Sequence, residues 1–401
     1  MNKTTWQRVK LGEMIKTNCK SIDKNYPYNI VQYLDTGSIT DSRIESLQNF
    51  DLKDLPSRAK RLVQDNDIIY SLVRPIQRHF GFIKNPSKNL VVSTGFCTIT
   101  THQNILDSKF LYYFLILDET IEFLDLIAEA STSAYPAIKP SDIENLIIPL
   151  PPLETQHKIA EILSSLDDKI DLLHRQNKTL ESLSLTLFRH IFIDNPKCNE
   201  WEEIKIGDYV ECVNGYSYKS SELDKSNIAL VTLKNFARDG SFNVNGFKEF
   251  IGTRFKDSQI VENGDLIVAH TDITQEAEII GNPALVIDIG QFEKLIITMD
   301  LVKVESKIEW LSKEFLYYLF KTQDFKSHCL GNSNGTTVLH MNRKTISEYT
   351  TKIPNSEIIM DFTKKVSYFL KKSYSNLLQI QSLQQMRDIM LPKLLSGEVE
   401  V

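Results

Sequence analysis

The chain has 401 residues, of which 42% are hydrophobic and 24% are charged, and its net charge is −6. These values are typical of a folded globular protein and exclude a disordered chain. No run reaches the roughly 18 apolar residues that a membrane helix needs, so we expect neither a membrane span nor a signal peptide. The negative charge argues mildly against a nucleic-acid partner.

The cysteines are scattered, odd in number and never form a CxxC pair. They are Cys19, Cys97, Cys198, Cys212 and Cys329. This pattern favours reduced, mostly buried thiols over metal ligands, and we expect a cytoplasmic protein.

Residues 1–153 are predicted to form a mixed α and β domain. Strand-like runs at 67–71 and 90–93 lie among turn residues. Residues 109–127 are predicted to be one amphipathic helix. Pro151 and Pro152 end the domain, because consecutive prolines continue neither a helix nor a sheet ladder.

A long helix is expected at 154–193. Its seam positions recur at alternating steps of four and three without Gly or Pro, which is typical of a coiled coil. The seam consists of Ile159, Leu163, Leu166, Ile170, Leu173, Asn177, Leu180, Ser184 and Leu187. A buried Asn costs stability but can fix the register of paired helices.

The chain then repeats its first domain about 200 residues later, at 199–355. The matching segments are 6–15 with 201–210, 63–69 with 261–267, 110–113 with 315–318, and 148–149 with 353–354. One duplication of this length indicates two related domains. Two similar domains in one rigid chain suit a target that itself has two separated parts.

A second long helix is expected at 356–397, with a less apolar seam. That seam consists of Phe362, Val366, Phe369, Ser373, Asn376, Ile380, Leu383, Arg387 and Met390. We expect the two helices, each about 54 Å long, to pair antiparallel. The predicted fold class is α+β, with two similar mixed α/β domains joined by an antiparallel coiled coil in a pseudo-two-fold arrangement. Two independent helical linkers are the alternative.

The sequence offers no catalytic set. We find no phosphate-binding GxxxxGK[ST] loop, no GxGxxG turn, no HExxH and no His/Cys spacing of a metal site. The segment 195–197 lacks the second proline and the aromatic residue by which amino-methyltransferases hold a flipped base. We therefore predict neither a catalytic residue nor a metal ligand.

Polar, donor-rich loops follow the strands of both domains. Between residues 53 and 88, eight Lys or Arg stand against three acids. Arg can read guanine and Gln can read adenine, while Lys and Arg also bind phosphates. In the first domain we predict DNA contacts at Lys60, Arg61, Arg74, Gln77, Arg78, His79, Ser133 and Tyr135, and Lys84 would also suit a phosphate. A solvated basic loop is the alternative.

The corresponding loops of the second domain are polar rather than basic. There we predict contacts at His270, Thr271, Thr274, Gln275, Thr336, Thr337, His340 and Arg343. For these loops, an ordinary turn is the competing interpretation.

Several segments resemble the specificity subunit of type I restriction–modification systems. They are 67–75, 93–97, 135–143, 148–163, 166–170, 264–281 and the ending 391–399. The resemblance spans essentially the whole chain. Residues 352–357 depart from it, because they lack the double proline of the first domain-to-helix junction.

The resemblance implies two target-recognition domains that each read half of an interrupted DNA site. The paired helices would set the spacer and dock two modification subunits, which methylate adenine with S-adenosylmethionine. Two restriction subunits would cleave DNA with ATP and Mg²⁺. This chain would supply sequence choice without a cofactor or chemistry of its own. The competing hypotheses are an enzyme that acts alone and a structural adaptor without DNA recognition.

Overall fold

The computed structural model describes residues 6–44, 46–131, 135–237, 240–272, 277–335 and 338–401. The chain divides into two compact units. The first contains Met1–Asp171 and Gln381–Val401, and the second contains Leu172–Ile380. The expected mixture of helices and strands is confirmed in both units.

The first unit contains two four-stranded sheets, a two-stranded pair and a short hairpin. Its strands are β1 (Gln7–Lys10), β2 (Ile15–Thr17), β3 (Ile30–Leu34), β4 (Ile39–Thr40), β5 (Arg43–Ile44), β6 (Gln48–Asp51), β7 (Ala59–Leu62), β8 (Ile68–Ser71), β9 (Phe80–Phe82), β10 (Leu90–Ser93), β11 (Phe96–Thr101) and β12 (Ile147–Leu150). The sheet orders are β2-β11-β8-β9 and β6-β3-β10-β7, with β1 paired to β12 and β4 to β5. The strands expected at 67–71 and 90–93 are confirmed as β8 and β10, and every residue of both is buried.

Three helices cover this sheet system: α1 (Ser108–Leu115), α2 (Asp118–Glu129) and α3 (Pro140–Glu144). The prediction of a single helix at 109–127 was therefore wrong. The helix breaks at Leu117, whose backbone is extended. Asp118 and Glu119 then begin α2, where their charges favour the positive end of a new helix dipole.

The second unit repeats the same sheet plan. Its strands are β13 (Glu202–Lys205), β14 (Val210–Asn214), β15 (Ile228–Val231), β16 (Lys248–Glu249), β17 (Ile260–Val261), β18 (Leu266–Ala269), β19 (Thr271–Asp272), β20 (Pro283–Leu285), β21 (Lys294–Ile297), β22 (Leu301–Ser306), β23 (Ser333–Asn334), β24 (Leu339–Met341) and β25 (Thr350–Ile353). The orders β14-β22-β18-β20 and β16-β15-β21-β17 match those of the first unit strand for strand. Even the parallel pair recurs, as β3 with β10 and β15 with β21. The duplication therefore extends from sequence to topology.

Two long helices each pass through both units. A 36-residue α4 (Leu153–Phe188) continues as a π-helical turn (Arg189–Ile193), and a 40-residue α8 (Ser356–Leu395) runs near the C-terminus. The remaining helices, α5 (Lys313–Phe320), α6 (Gln323–Gly331) and α7 (Thr345–Glu348), belong to the second unit. Every position of the two predicted seams is buried or half-buried.

Contacts inside each unit show α4 and α8 running in opposite directions. In the second unit Asn177 meets Asn376, while the later Phe188 meets the earlier Phe362. In the first unit Leu163 shares a core with Leu394, and Asp167 pairs with Arg387. Apolar burial thus holds the helices together, and polar pairs occur at particular levels along them.

A glycine repeated between the two domains marks a tight contact. A Cβ atom on Gly207 would lie 2.5 Å from the carbonyl oxygen of Ser347 and 2.8 Å from its Cβ. A Cβ on Gly12 would lie 3.1 Å from the carbonyl oxygen of Glu144. Both positions follow the first strand of their unit and touch a short helix, so close packing explains why the sequence repeat retains glycine.

We predict that Gly207→Ala destabilises the protein by about 1–3 kcal/mol, because backbone atoms of Ser347 must move to admit the methyl group. Gly331→Ala is the matched control, since nothing lies within 4 Å of its added Cβ. Thermal unfolding of both variants, followed by circular dichroism, measures the difference. Equal melting temperatures would contradict the steric explanation.

A polar pair lies in the seam of the second unit. Asn376 is fully buried, and its Nδ2 donates to Asn177 Oδ1 at 2.8 Å and to Gln176 Oε1 at 3.4 Å. Asn177 Nδ2 donates to the carbonyl oxygen of Ser373 at 3.3 Å. Because buried amides need partners, this pair disfavours any register that separates the two asparagines.

We predict that Asn177→Leu alone costs about 1–3 kcal/mol, since it leaves the buried Asn376 amide without its shorter acceptor. The double variant Asn177→Leu/Asn376→Leu should recover that loss, because an apolar pair carries no desolvation cost. Urea unfolding of the three proteins tests this. A double variant as unstable as the single one would show that the pair does not act as a unit.

Candidate nucleic-acid interface

The predicted reading loop of the first unit is a short 3-10 turn after β8. The turn spans Pro75–Gln77 and is flanked by Arg74 and Arg78, whose φ angles are 45° and 57°. Left-handed backbone is costly for residues other than glycine, Asn and Asp, so the surroundings must hold it. The backbone N–H of Arg74 donates to the carbonyl oxygen of Pro136 at 3.1 Å, which fixes one end.

Acidic side chains fix the other end of the turn. The Arg78 guanidinium donates to Asp118 and lies 3.6 Å from Asp41. Burial by itself lowers the pKa of Arg78, but these two carboxylates outweigh it and raise the pKa. The backbone N–H of Ile76 donates to Asp125 Oδ1 at 3.2 Å. The positive charge of Arg78 is therefore already paired with two carboxylates of the protein.

The predicted residues of this turn thus fall into two groups. His79 is half-buried, and its Nδ1 must carry the proton, because it lies 2.6 Å from the carbonyl oxygen of Ile39. Arg74 and Gln77 are exposed, and within the described ranges no side-chain hydrogen bond or ion pair holds them. Arg74 and Gln77 are thus exposed donors, whereas Arg78 and His79 already have partners within the protein.

The other basic candidates of the first unit lie apart from the turn. Lys60 is exposed on β7, and the neighbouring Arg61 is half-buried, with its Nη1 3.5 Å from Ser21 Oγ. Lys84 forms a 3.0 Å ion pair with Asp168 on α4. Tyr135 is 71% exposed. Ser133 lies outside the described residues.

In the second unit the structure brings four predicted residues together. Thr271 on β19 pairs with His340 on β24, and Thr271 Oγ1 lies 3.3 Å from His340 Nδ1. His270 precedes this pair, and its Nε2 is buried without a hydrogen-bond partner in the described part of the chain. Burial, then the nearby charges of His340 and Arg343, lower the pKa of His270. A neutral imidazole is therefore expected here at pH 7.

The other predicted contacts of the second unit divide into four residues outside the described ranges and two exposed ones. Thr274, Gln275, Thr336 and Thr337 lie outside the described residues. His340 and Arg343 are exposed, so this surface is polar and weakly basic, in contrast to the ion-paired turn of the first unit.

Sequence reasoning missed the residues that hold these loops. Asp272 is fully buried and accepts hydrogen bonds from the backbone N–H groups of Ile279 at 2.6 Å and Ile280 at 2.8 Å. Lys326 Nζ donates to the carbonyl oxygens of Ile280 and Glu278. Burial lowers the pKa of Lys326, although the charge of Asp272 opposes the shift. A lone Asp and a lone Lys give no periodic signal, so their pairing with this loop was not foreseeable.

Across the described ranges, no three His, Cys, Asp or Glu residues are grouped closely enough to hold a metal ion. In the same part of the chain, no helix has the length and hydropathy needed to span a membrane.

Comparison with known proteins finds a family model and several relatives that the chain is similar to. Residues 3–182 match the family model of the type I restriction modification DNA specificity domain. The type I restriction enzyme HindI specificity subunit of Haemophilus influenzae is 27% identical over 458 aligned positions, which cover 98% of this chain and 99% of that protein. The MjaIX specificity subunit of Methanocaldococcus jannaschii is 26% identical over 340 positions, covering 80% and 76%.

A solved structure shows the same fold. The crystal structure of a type I restriction–modification S subunit from M. genitalium aligns with a TM-score of 0.57 at 17% identity, over 98% of this chain and 97% of that one. The chain therefore contains a type I restriction modification DNA specificity domain, and over its full length it is similar to type I specificity subunits. The resemblance inferred from the sequence is confirmed.

We predict that Arg74→Ala lowers affinity for the cognate DNA by about 1–3 kcal/mol at one base position, because an exposed Arg on a rigid turn can bind a guanine edge bidentately. The melting temperature of the Arg74→Ala protein should equal that of the wild type. Fluorescence anisotropy with single-base variants of the site measures the position dependence. Equal losses on all DNA with a smaller salt slope would identify a phosphate contact instead.

Arg78→Ala is expected to act differently, through stability. Removing this side chain leaves Asp41 and Asp118 without their partner. Because the Arg78 side chain is 35% exposed, we expect the free energy of unfolding to fall by at most about 1 kcal/mol. Any loss of DNA affinity should be shared by all sequences. A loss confined to one base position would mean that Arg78 leaves its carboxylates to read DNA.

Proposed function

We propose that this chain is the DNA sequence-specificity subunit of a type I restriction–modification assembly, in which each unit reads one half of an interrupted site. One observation carries the proposal: the two units share the order of both four-stranded sheets and the pairing of their first and last strands, but present different side chains after β8 and β18. A common scaffold with divergent loops is how proteins recognise different ligands with one fold. Two such scaffolds in one chain suit a target with two unequal halves.

The proposed architecture has target-recognition domains at 1–153 and 199–355, with α4 and α8 forming an antiparallel, pseudo-two-fold coiled coil between them. The opposite directions of the helices inside each unit support this. A 36-residue helix is about 54 Å long, so its length would set the gap between half-sites. The buried Asn177–Asn376 pair would keep the register, and with it the gap, constant.

The same helices would dock the modification subunits. Both carry large apolar side chains that remain exposed, such as Leu183 on α4 and Tyr368 and Ile389 on α8. Exposed apolar side chains of this size on long helices are suited to protein contacts. We propose two adenine methyltransferase subunits that use S-adenosylmethionine, and two restriction subunits that use ATP and Mg²⁺. The assembly would act on double-stranded DNA in the cytoplasm.

The negative charge of the chain is compatible with a role in which it selects the DNA sequence while partner subunits bind the phosphates. Phosphate contacts supply much of the affinity of DNA-binding proteins, and partner subunits can provide them. The specificity subunit then needs only enough exposed donors to choose a sequence.

We predict that deleting the gene removes N6-methyladenine from one interrupted DNA motif in the host and leaves other methylated motifs intact. Sequencing methylated adenines with and without the gene measures this. The control is complementation with the intact chain, which should restore the same motif. An unchanged methylome in a host that expresses the chain and its modification subunits would contradict the proposal. Loss of a motif with no internal gap would contradict the two-part reading.

A further inference from the structure

One carboxylate of α4 joins three elements of the first unit. The Tyr113 hydroxyl on α1 donates to Asp167 Oδ2 at 2.6 Å. The Arg387 guanidinium on α8 donates to Asp167 Oδ1 at 3.0 Å. Tyr113 is only 2% exposed, and the side chains of Asp167 and Arg387 are about one-third exposed. The strands and short helices of the first unit, from β1 to β12, are called its recognition fold here, and those of the second unit, from β13 to β25, are called likewise. The first recognition fold and both long helices therefore meet at Asp167.

The electrostatics keep this cluster intact. Burial, then the negative charge of Asp167, raise the pKa of Tyr113, so its hydroxyl remains a donor at physiological pH. Burial by itself lowers the pKa of Arg387, but Asp167 and Asp388 outweigh it and raise the pKa. Both oxygens of Asp167 accept a hydrogen bond, and bonds to a charged group are stronger than neutral ones.

Further polar contacts lie along the same stretch of α4. Gln156 is 1% exposed, and it accepts a hydrogen bond from the backbone N–H of Asp107 at 2.9 Å and donates to the carbonyl oxygen of Ile105 at 3.1 Å. Lys84 pairs with Asp168, and Lys109 Nζ lies 3.3 Å from Ser164 Oγ. The recognition fold is thus bonded to α4 at several levels. Of these bonds, only those at Asp167 also include α8.

The second unit contains a related cluster. Glu181 on α4 accepts a hydrogen bond from the Tyr317 hydroxyl at 3.2 Å and pairs with Lys321, which follows α5. The helices α1 and α5 carry the repeated Phe-Leu-Tyr-Tyr sequence at 110–113 and 315–318. In both units, a tyrosine of this motif therefore bonds a carboxylate of α4. The cation comes from α8 in the first unit and from the recognition fold itself in the second.

We propose that Tyr113, Asp167 and Arg387 form a positioning cluster that fixes the angle of the first recognition fold on the helix pair, and thereby restricts the DNA site to one gap length. The proposal rests on the proposed function. Apolar contacts tolerate small rotations, whereas hydrogen bonds at both oxygens of one carboxylate are directional. Neighbouring gap lengths differ by a rise of about 3.4 Å and a rotation of about 35°. A fold that is no longer held at one angle on the helix pair would therefore accept the neighbouring gaps more readily.

The test uses the full chain assembled with its modification subunits and a randomised duplex DNA library. Sequencing the bound DNA gives the two half-sites and the distribution of gap lengths. For Tyr113→Phe and Asp167→Asn we expect the half-sites to stay the same. Sites whose gap is one base pair shorter or longer should become about ten-fold more frequent among the bound DNA, because ten-fold is the factor typical of losing one hydrogen bond to a charged group. Tyr113→Phe removes a single oxygen and should leave the Asp167–Arg387 pair intact.

Glu161→Gln is the matched control, because it neutralises an exposed carboxylate on the same stretch of α4. It should keep the single gap of the wild type. If either cluster variant binds all gaps more weakly by the same factor, the cluster is only structural and the proposal is overturned. If the wild type itself selects no two-part site, the proposed function fails, and that outcome is distinct from failure of the cluster alone.

Discussion

The burial of one face of α4 and α8 is the interaction on which the rest of this structure depends. Isolated helices of marginal propensity gain most of their stability from packing an apolar face. In the second unit that packing includes an aromatic group in which Phe188 and Phe192 lie 5.5 and 5.1 Å from the Phe362 ring. In the first unit Ile159 and Leu163 share a core with Phe110 of the recognition fold. Each mixed α/β fold therefore shares its core with the long helices and is not merely connected to them along the chain.

The duplication explains which features are constant and which vary. Features that serve packing recur in both units: the orders of the four-stranded sheets, the glycine that touches a short helix, and the Phe-Leu-Tyr-Tyr helix. One tyrosine of that helix bonds α4 in each unit, although it is Tyr113, the fourth motif residue, in the first and Tyr317, the third, in the second. The turns after β8 and β18 differ in almost every side chain. In one turn, Asp41 and Asp118 hold an arginine, and in the other Asp272 and Lys326 hold the backbone. Each set of contacts holds described residues next to its own loop on a shared framework.

The sequence predicted what depends on periodicity and missed what depends on tertiary contact. The strands β8 and β10 and the two long helices follow from short apolar runs and a regular seam. The break between α1 and α2 was missed because Ile116 and Leu117 continue the apolar pattern even though the backbone turns there. Arg78 was predicted to contact DNA because Arg can bind guanine, and the sequence could not show its bond to Asp118, which lies 40 residues away in the chain. The left-handed backbone at Arg74 and Arg78 could not be predicted, because neither position is a glycine, the residue that usually marks this conformation.

The ion pairs of the first unit bear on how a negatively charged chain can select DNA. The charges of Arg78, Lys84 and Arg387 are each matched by a carboxylate, so these cations add little to a phosphate-binding surface. Non-specific affinity arises mainly from releasing counterions at phosphates, and paired cations release few. Under the proposed function, the free chain would bind random DNA weakly. Discrimination would then depend on exposed donors such as Arg74, whose contacts gain their full value only when partner subunits hold the duplex against them. Sequence choice and DNA affinity would in this way be divided between different chains of the assembly.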